Sequence, residues 1–150
     1  MENMKTLLVI AVSVFLSVLG CTDNVEPDLY TYTVRNETGF EIKVKSYISM
    51  HPNISPIVTI LSPNEESTKT YKDSPPPRGY DYGYFFATEK SRRDSLVVIF
   101  DMAKIVSFND ENCDDNRNPL NFCEYRNLEE TFIFTEQDYE NAEDCNGNCD

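Results

Sequence analysis

Tyr30-Thr31-Tyr32-Thr33-Val34-Arg35-Asn36-Glu37-Thr38-Gly39-Phe40-Glu41-Ile42-Lys43-Val44-Lys45 decides the fold class. Tyr30, Tyr32 and Val34 alternate with Thr31, Thr33 and Arg35, and Phe40, Ile42 and Val44 alternate with Glu41, Lys43 and Lys45. A period of two puts one apolar row on one face, the pattern of a half-buried strand. Asn36-Glu37-Thr38-Gly39 supplies turn chemistry, with Gly39 able to take positive φ. The two runs predict a β-hairpin. After Val44 the phase slips through Ser46 to Tyr47, which predicts a bulge.

The same reading extends along the chain. Ile57–Leu61 reads as a short strand and Ser67–Lys72 as a polar edge strand. Pro75-Pro76-Pro77-Arg78-Gly79 cannot join a central sheet, because proline lacks the donor, so it reads as a loop within one domain. Asp81–Ala87 returns to strand. Asp94–Phe100 is the most apolar strand and the expected centre of a sheet, with Ile105, Val106 and Phe108 in its partner. Thr131–Phe134 is the last strand. Thr135 then caps a short helix whose Tyr139 and Ala142 face inward. The sum is an all-β chain, an antiparallel β-sandwich of about seven to eight strands with a short C-terminal helix. The sandwich spans residues 29–143, and residues 144–150 form a polar tail with two cysteines.

The N-terminus has a different character. Leu7–Leu19 is apolar, follows Lys5 and closes on Gly20 and Cys21. It is shorter than the roughly 20 apolar residues of a spanning helix and has the layout of a signal peptide over residues 1–20. Val18-Leu19-Gly20-Cys21 looks like a bacterial lipobox, which makes Cys21 the lipidation site. Each buried CH₂ of an acyl chain contributes about 0.8 kcal/mol, and two chains anchor stably. The membrane is then the first partner, held through the lipid. Residues 21–28, with Asp23, Glu26, Pro27 and Asp28, read as a flexible acidic tether.

The lipobox, Val34-Arg35-Asn36 before Thr38-Gly39, Asp94–Phe100 and its return through Lys104-Ile105-Val106 resemble small lipoproteins of the Bacteroidetes. Asn118-Pro119-Leu120 and the ending from Phe134 to Ala142 share the pattern. The resemblance implies a single β-sandwich at the cell envelope, without an assigned activity, and transfers no catalytic residue. It also implies a place at the outer membrane, on its periplasmic or surface face.

Charge and composition narrow the function. Asp plus Glu number 26 against 13 Lys plus Arg, a net charge of -13, which argues against nucleic acid as a partner. His51 is the one imidazole, in an expected loop beside Pro52, and no nucleophile elbow accompanies it. No P-loop, G-x-G-x-x-G or H-E-x-x-H occurs, so no cofactor is expected. The chain reads as a non-enzyme. An envelope hydrolase working through carboxylates is the alternative, and so is a module binding calcium or carbohydrate.

Beyond Cys21 stand Cys113, Cys123, Cys145 and Cys149, an even set that an exported chain would oxidise. Four cysteines allow three connectivities. The local one, Cys113–Cys123 with Cys145–Cys149, is preferred; cross-pairs would staple the tail to the Cys113 loop, and a four-cysteine zinc site meets the usual spacing only at Cys145 and Cys149. Asp110, Asp114 and Asp115 lie in an oxygen-rich loop and are calcium candidates, although the spacing fails the EF-hand pattern. Tyr80, Tyr82 and Tyr84 would share one strand face, where aromatic rings can stack on a glycan or an envelope protein.

Overall fold

The computed structural model describes residues 26–88, 91–110, 113–125, 127–147 and 149. Among the described residues, eight strands and two short helices follow one another as β1 (Asp28–Asn36), β2 (Ile42–Tyr47), β3 (Ile57–Leu61), β4 (Glu66–Asp73), α1 (Tyr82–Phe85), β5 (Ser95–Phe100), β6 (Lys104–Asn109), β7 (Glu129–Phe134), α2 (Glu136–Asn141) and β8 (Glu143–Asp144). They build two open sheets, β4-β1-β7 and β3-β2-β5-β6-β8. The all-β, sandwich-like architecture and its C-terminal helix are those expected from the sequence.

The apolar rows of both sheets meet in one core. Tyr32, Val34, Phe132 and Phe134 come from one side; Ile42, Val44, Leu96, Val98 and Phe100 come from the other. Fully burying one such side chain stabilises by about 1.5–3 kcal/mol. β5 lies in the middle of its sheet, between β2 and β6, as its apolarity requires. β4 is an edge, and its polar sequence suits one.

β1 and β2 do not form the expected hairpin. β1 pairs with β4 antiparallel and with β7 in parallel, while β2 pairs with β3 and β5. The Asn36–Gly39 turn instead carries the chain from one sheet to the other. Alternation satisfies a sandwich as well as a hairpin, because both need one buried row per strand. Gly39 is not among the residues with positive φ; its N–H reaches Glu136 Oε1 at 2.6 Å. The bulge is absent too: β2 stays in register with β5 through Tyr47 opposite Ser95. Ser46 simply occupies an inward position, its hydroxyl donating to the Phe86 carbonyl at 2.7 Å.

Asp81–Ala87 folds as a helical turn and not as a strand. Asp81 is the N-cap, its carboxylate accepting from the Gly83 N–H at 2.8 Å. Tyr82, Phe85 and Phe86 are buried, at the i, i+3, i+4 spacing of a helix face. Gly83 is required here by space: a Cβ would lie 2.5 Å from the Arg93 carbonyl oxygen.

The C-terminal residues return to the sandwich. β8 pairs with β6, and Cys145 and Cys149 pack against Ile99 on the outer side of β5. α2 starts at Thr135 with a capping box to Asp138. Tyr139 packs on the core and Ala142 is buried within it.

Candidate functional site

The start of β1 and the end of β4 lie side by side, with Asp28 opposite Asp73, Leu29 opposite Lys72 and Tyr30 opposite Tyr71. The loop after β4 folds back over this end because Asp73, almost fully buried, accepts from the backbone N–H groups of Arg78 at 2.8 Å and Gly79 at 2.7 Å. That delivers Tyr80 onto the two strand tyrosines. Tyr80 stacks on Tyr71 at 4.8 Å and 15°, lies 5.7 Å from Tyr30, and meets Tyr84 edge-on at 4.9 Å.

Hydrogen bonds lock the cluster from beneath. The Tyr32 hydroxyl donates to the Tyr80 carbonyl at 2.6 Å, and the Tyr71 hydroxyl donates to the Tyr84 carbonyl at 3.0 Å. Burial, and then Tyr80 beside it, pushes the Tyr71 hydroxyl up to about 12. Burial likewise raises Tyr30, helped by Asp28 and Asp73. These hydroxyls stay protonated at neutral pH and act as hydrogen-bonding groups.

Three adjoining hollows share Tyr80 and Tyr84. The largest, about 960 Å³, runs along β4 past Lys69, Tyr71 and Lys72. A second, of about 410 Å³, adds Tyr30, Arg78, Arg92 and Phe122. A third, of about 390 Å³, lies over Lys72, Arg78 and the proline loop. Lys69 is committed inward: its Nζ donates to the carbonyls of Phe85 at 2.5 Å and Ala87 at 3.1 Å, and burial lowers its pKa. Arg92 is clamped by Asp81 at 2.7 Å and by Asp110. Burial pulls its pKa down, but those hydrogen bonds outweigh it and leave it raised. No carboxylate among the described residues pairs with Lys72 or Arg78.

The expected tyrosine row is therefore split. Tyr80, just before the helix cap, and Tyr84, within α1, line the hollows. Tyr82 points the other way, is completely buried, and donates its hydroxyl to the Thr33 carbonyl at 2.9 Å. Tyr30, Tyr71, Lys72, Arg78 and Phe122 were not singled out from sequence. Only the pairing of β1 with β4 brings Tyr30 to Tyr71. Phe122, half exposed, is placed by the loop that Cys113 and Cys123 close.

The cysteines pair locally, Cys113 with Cys123 and Cys145 with Cys149, at Cα separations of 5.7 and 5.0 Å. Neither a cross-pairing nor a four-cysteine zinc site is formed. Of the calcium candidates, Asp110 holds Arg92, Asp115 Oδ1 accepts from the Arg117 N–H at 2.8 Å, and Asp114 is exposed on the same loop. Among the described residues, no group of three or more His, Cys, Asp and Glu side chains is placed to hold a metal ion. His51 is exposed in a turn. Cys21 and the leader lie outside the described residues, and none of the helices described is long and apolar enough to cross a membrane.

Comparison with protein families, curated proteins and solved structures finds no match to this chain in any of the three. The two disulfides point to an oxidising, non-cytoplasmic compartment.

Proposed function

We propose that the chain is a lipid-anchored binding module of the cell envelope, tethered through Cys21 and presenting the tyrosine-walled end of its sandwich. The observation that carries the binding role is the sharing of Tyr80 and Tyr84 by three adjoining hollows. Large aromatic rings left at a surface concavity, with a few polar groups converging on them, are the usual make-up of a ligand site. Anchoring is supported by the lipobox and by the oxidised cysteines, and the resemblance to Bacteroidetes lipoproteins agrees with it. The site also lies where the tether enters the domain. Eight tether residues span at most ~28 Å when fully extended, so a lipid on Cys21 would keep the groove close to the membrane face.

A carboxylate hydrolase finds less support. The carboxylates lining these hollows are Asp73 and Asp81. The first is taken by two backbone N–H groups and the second by Gly83 and Arg92. Neither has the freedom that proton transfer at a glycosidic bond requires.

The anchor is tested by mass spectrometry of the chain purified from membranes of a bacterial host without reduction. A diacylglyceryl adduct on an N-terminal Cys21 is the expected result. Cys21→Ser should move the protein from the membrane to the soluble fraction. An unmodified Cys21 in membrane-purified protein overturns the anchor.

A further inference from the structure

We propose that the groove around Tyr80 and Tyr84 takes a chain of acidic sugar residues, an anionic polysaccharide held by ring stacking and by Lys72 and Arg78. This deepens the binding role proposed above and does not depend on the lipid anchor.

The shape argues for a chain. The three hollows are contiguous because each is bounded by the same two tyrosines. A ligand filling one of them meets the next across the Tyr80 ring. A compact metabolite would use one hollow; a polymer of ring-sized units uses successive ones. Concavity also disfavours a flat lipid surface, which would touch the rims and leave the hollows empty.

The lining argues for sugar rings. Tyr30, Tyr80, Tyr84 and Phe122 border one hollow, each partly exposed. A pyranose ring presents an apolar C–H face and a polar hydroxyl rim. Tyrosine offers the matching combination of an apolar ring and a wet hydroxyl.

The charge argues for acidic substituents. The chain carries a net charge of -13, so its surface as a whole repels anions. The hollows differ from that surface: Lys69, Lys72, Arg78 and Arg92 line them against Asp73 and Asp81. Lys72 and Arg78 lie at the groove rim with no carboxylate partner among the described residues, while Asp73 is turned onto two backbone donors and Asp81 is paired with Arg92. An arginine fork and an ammonium suit carboxylate or sulfate groups repeating along a chain.

The test is isothermal titration of the mature chain carrying Cys21→Ser with hexagalacturonate and a chondroitin sulfate hexasaccharide, using maltohexaose as the neutral control. The expected result is binding of at least one acidic hexasaccharide, weakened at high salt, and much weaker binding of maltohexaose. Lys72→Ala with Arg78→Ala should cost at least tenfold in affinity without moving the melting temperature, since both side chains are exposed. Tyr80→Phe should retain binding and Tyr80→Ala should lose it. Failure of both acidic probes to bind at millimolar concentration overturns the proposal. So does equal affinity for maltohexaose, unchanged affinity of the Lys72/Arg78 double variant, or binding to phosphatidylglycerol vesicles in place of either oligosaccharide. Because the probed chain carries no lipid, a negative result here leaves the anchor reading standing, and an unmodified Cys21 leaves this one standing.

Discussion

The Asn36 carboxamide oxygen accepts from both the backbone N–H of Thr38, at 2.9 Å, and the Thr38 hydroxyl, at 2.7 Å. Its amide nitrogen donates toward the carbonyls of Phe40 at 2.8 Å and of Leu61 and Ser62 at 3.0 Å. One fully buried side chain thus knits the end of β1, the crossing turn and the end of β3. Asn36→Ala strands the Leu61 carbonyl and the Thr38 N–H and hydroxyl away from water, at a cost of about 2–4 kcal/mol by the usual penalty for unpaired buried polar groups. Asn36→Asp should cost more at neutral pH, since it turns a charge on three carbonyls. Urea denaturation reads both; a loss below ~1 kcal/mol would mean the crossing is held by other groups.

Arg117 ties the disulfide-closed loop to α2. Its guanidinium pairs with Asp138, donates to the Ile133 carbonyl at 2.7 Å and lies 5.0 Å from the centre of the Phe132 ring. Its side chain is 43% exposed, so screening trims the ion pair. Arg117→Ala should cost about 1–2 kcal/mol, mostly from the lost carbonyl bond and ring contact. A double-mutant cycle with Asp138→Asn should return a coupling of about 0.5–1 kcal/mol. Zero coupling would reduce the pair to a surface ornament of the helix cap.

The two disulfides should differ in worth. They close sequence separations of 10 and 4 residues. Loop-closure entropy then assigns about 2.7 kcal/mol to the first and about 1.9 kcal/mol to the second. Paired Cys→Ser replacement at Cys113 and Cys123 should therefore lower the melting temperature more than replacement at Cys145 and Cys149. The reverse order would show that packing of Cys145 and Cys149 on Ile99 outweighs chain entropy.

Strand periodicity was legible because each strand buries one row; partner choice was not. The β1–β7 parallel pair joins residues about 100 positions apart, beyond any local pattern. Asp94–Phe100 could be placed centrally because a strand covered on both faces must be apolar on both, and Ile99 is covered by the cysteine tail. Tyr80–Phe86 misled because one run holds both an alternating row, Tyr80, Tyr82 and Tyr84, and a helical i, i+3, i+4 set, Tyr82, Phe85 and Phe86. What discriminates them is Asp81 followed two residues later by Gly83, a cap and a close approach that hydrophobic patterning ignores. The tyrosine site was half visible for the same reason: Tyr80 and Tyr84 are local, while Tyr71 and Phe122 reach it only through tertiary structure.

Gly83 offers a sharp test of the loop that builds the groove. Any Cβ there would meet the Arg93 carbonyl at 2.5 Å and the Arg92 side chain at 2.7 Å. Arg93 also donates its backbone N–H to the Gly83 carbonyl at 2.9 Å, so the two segments cannot part freely. Gly83→Ala should cost about 1–3 kcal/mol as overpacking, against the helix-propensity gain that alanine brings elsewhere. It should also raise susceptibility to proteolysis between Pro75 and Arg92. A variant as stable as the wild type would mean that α1 is not packed on the Arg92–Arg93 backbone.

Tyrosine burial gives the fold an alkaline limit. Burial raises the hydroxyl pKa of Tyr32, Tyr71 and Tyr82 above the ordinary 10.0, with Tyr71 reaching about 12. Between pH 10 and 12 the unfolded chain has released protons that the folded chain still holds. The unfolded state then binds fewer protons, so stability falls as pH rises through that window and is unaffected by these groups below it. Urea midpoints measured from pH 8 to 12 should be flat and then decline beyond pH 10. Tyr82→Phe removes one such group along with its bond to the Thr33 carbonyl; it should lose about 1 kcal/mol at pH 8 and show a shallower alkaline decline. A wild-type midpoint that stays constant to pH 12 would place these hydroxyls in contact with water.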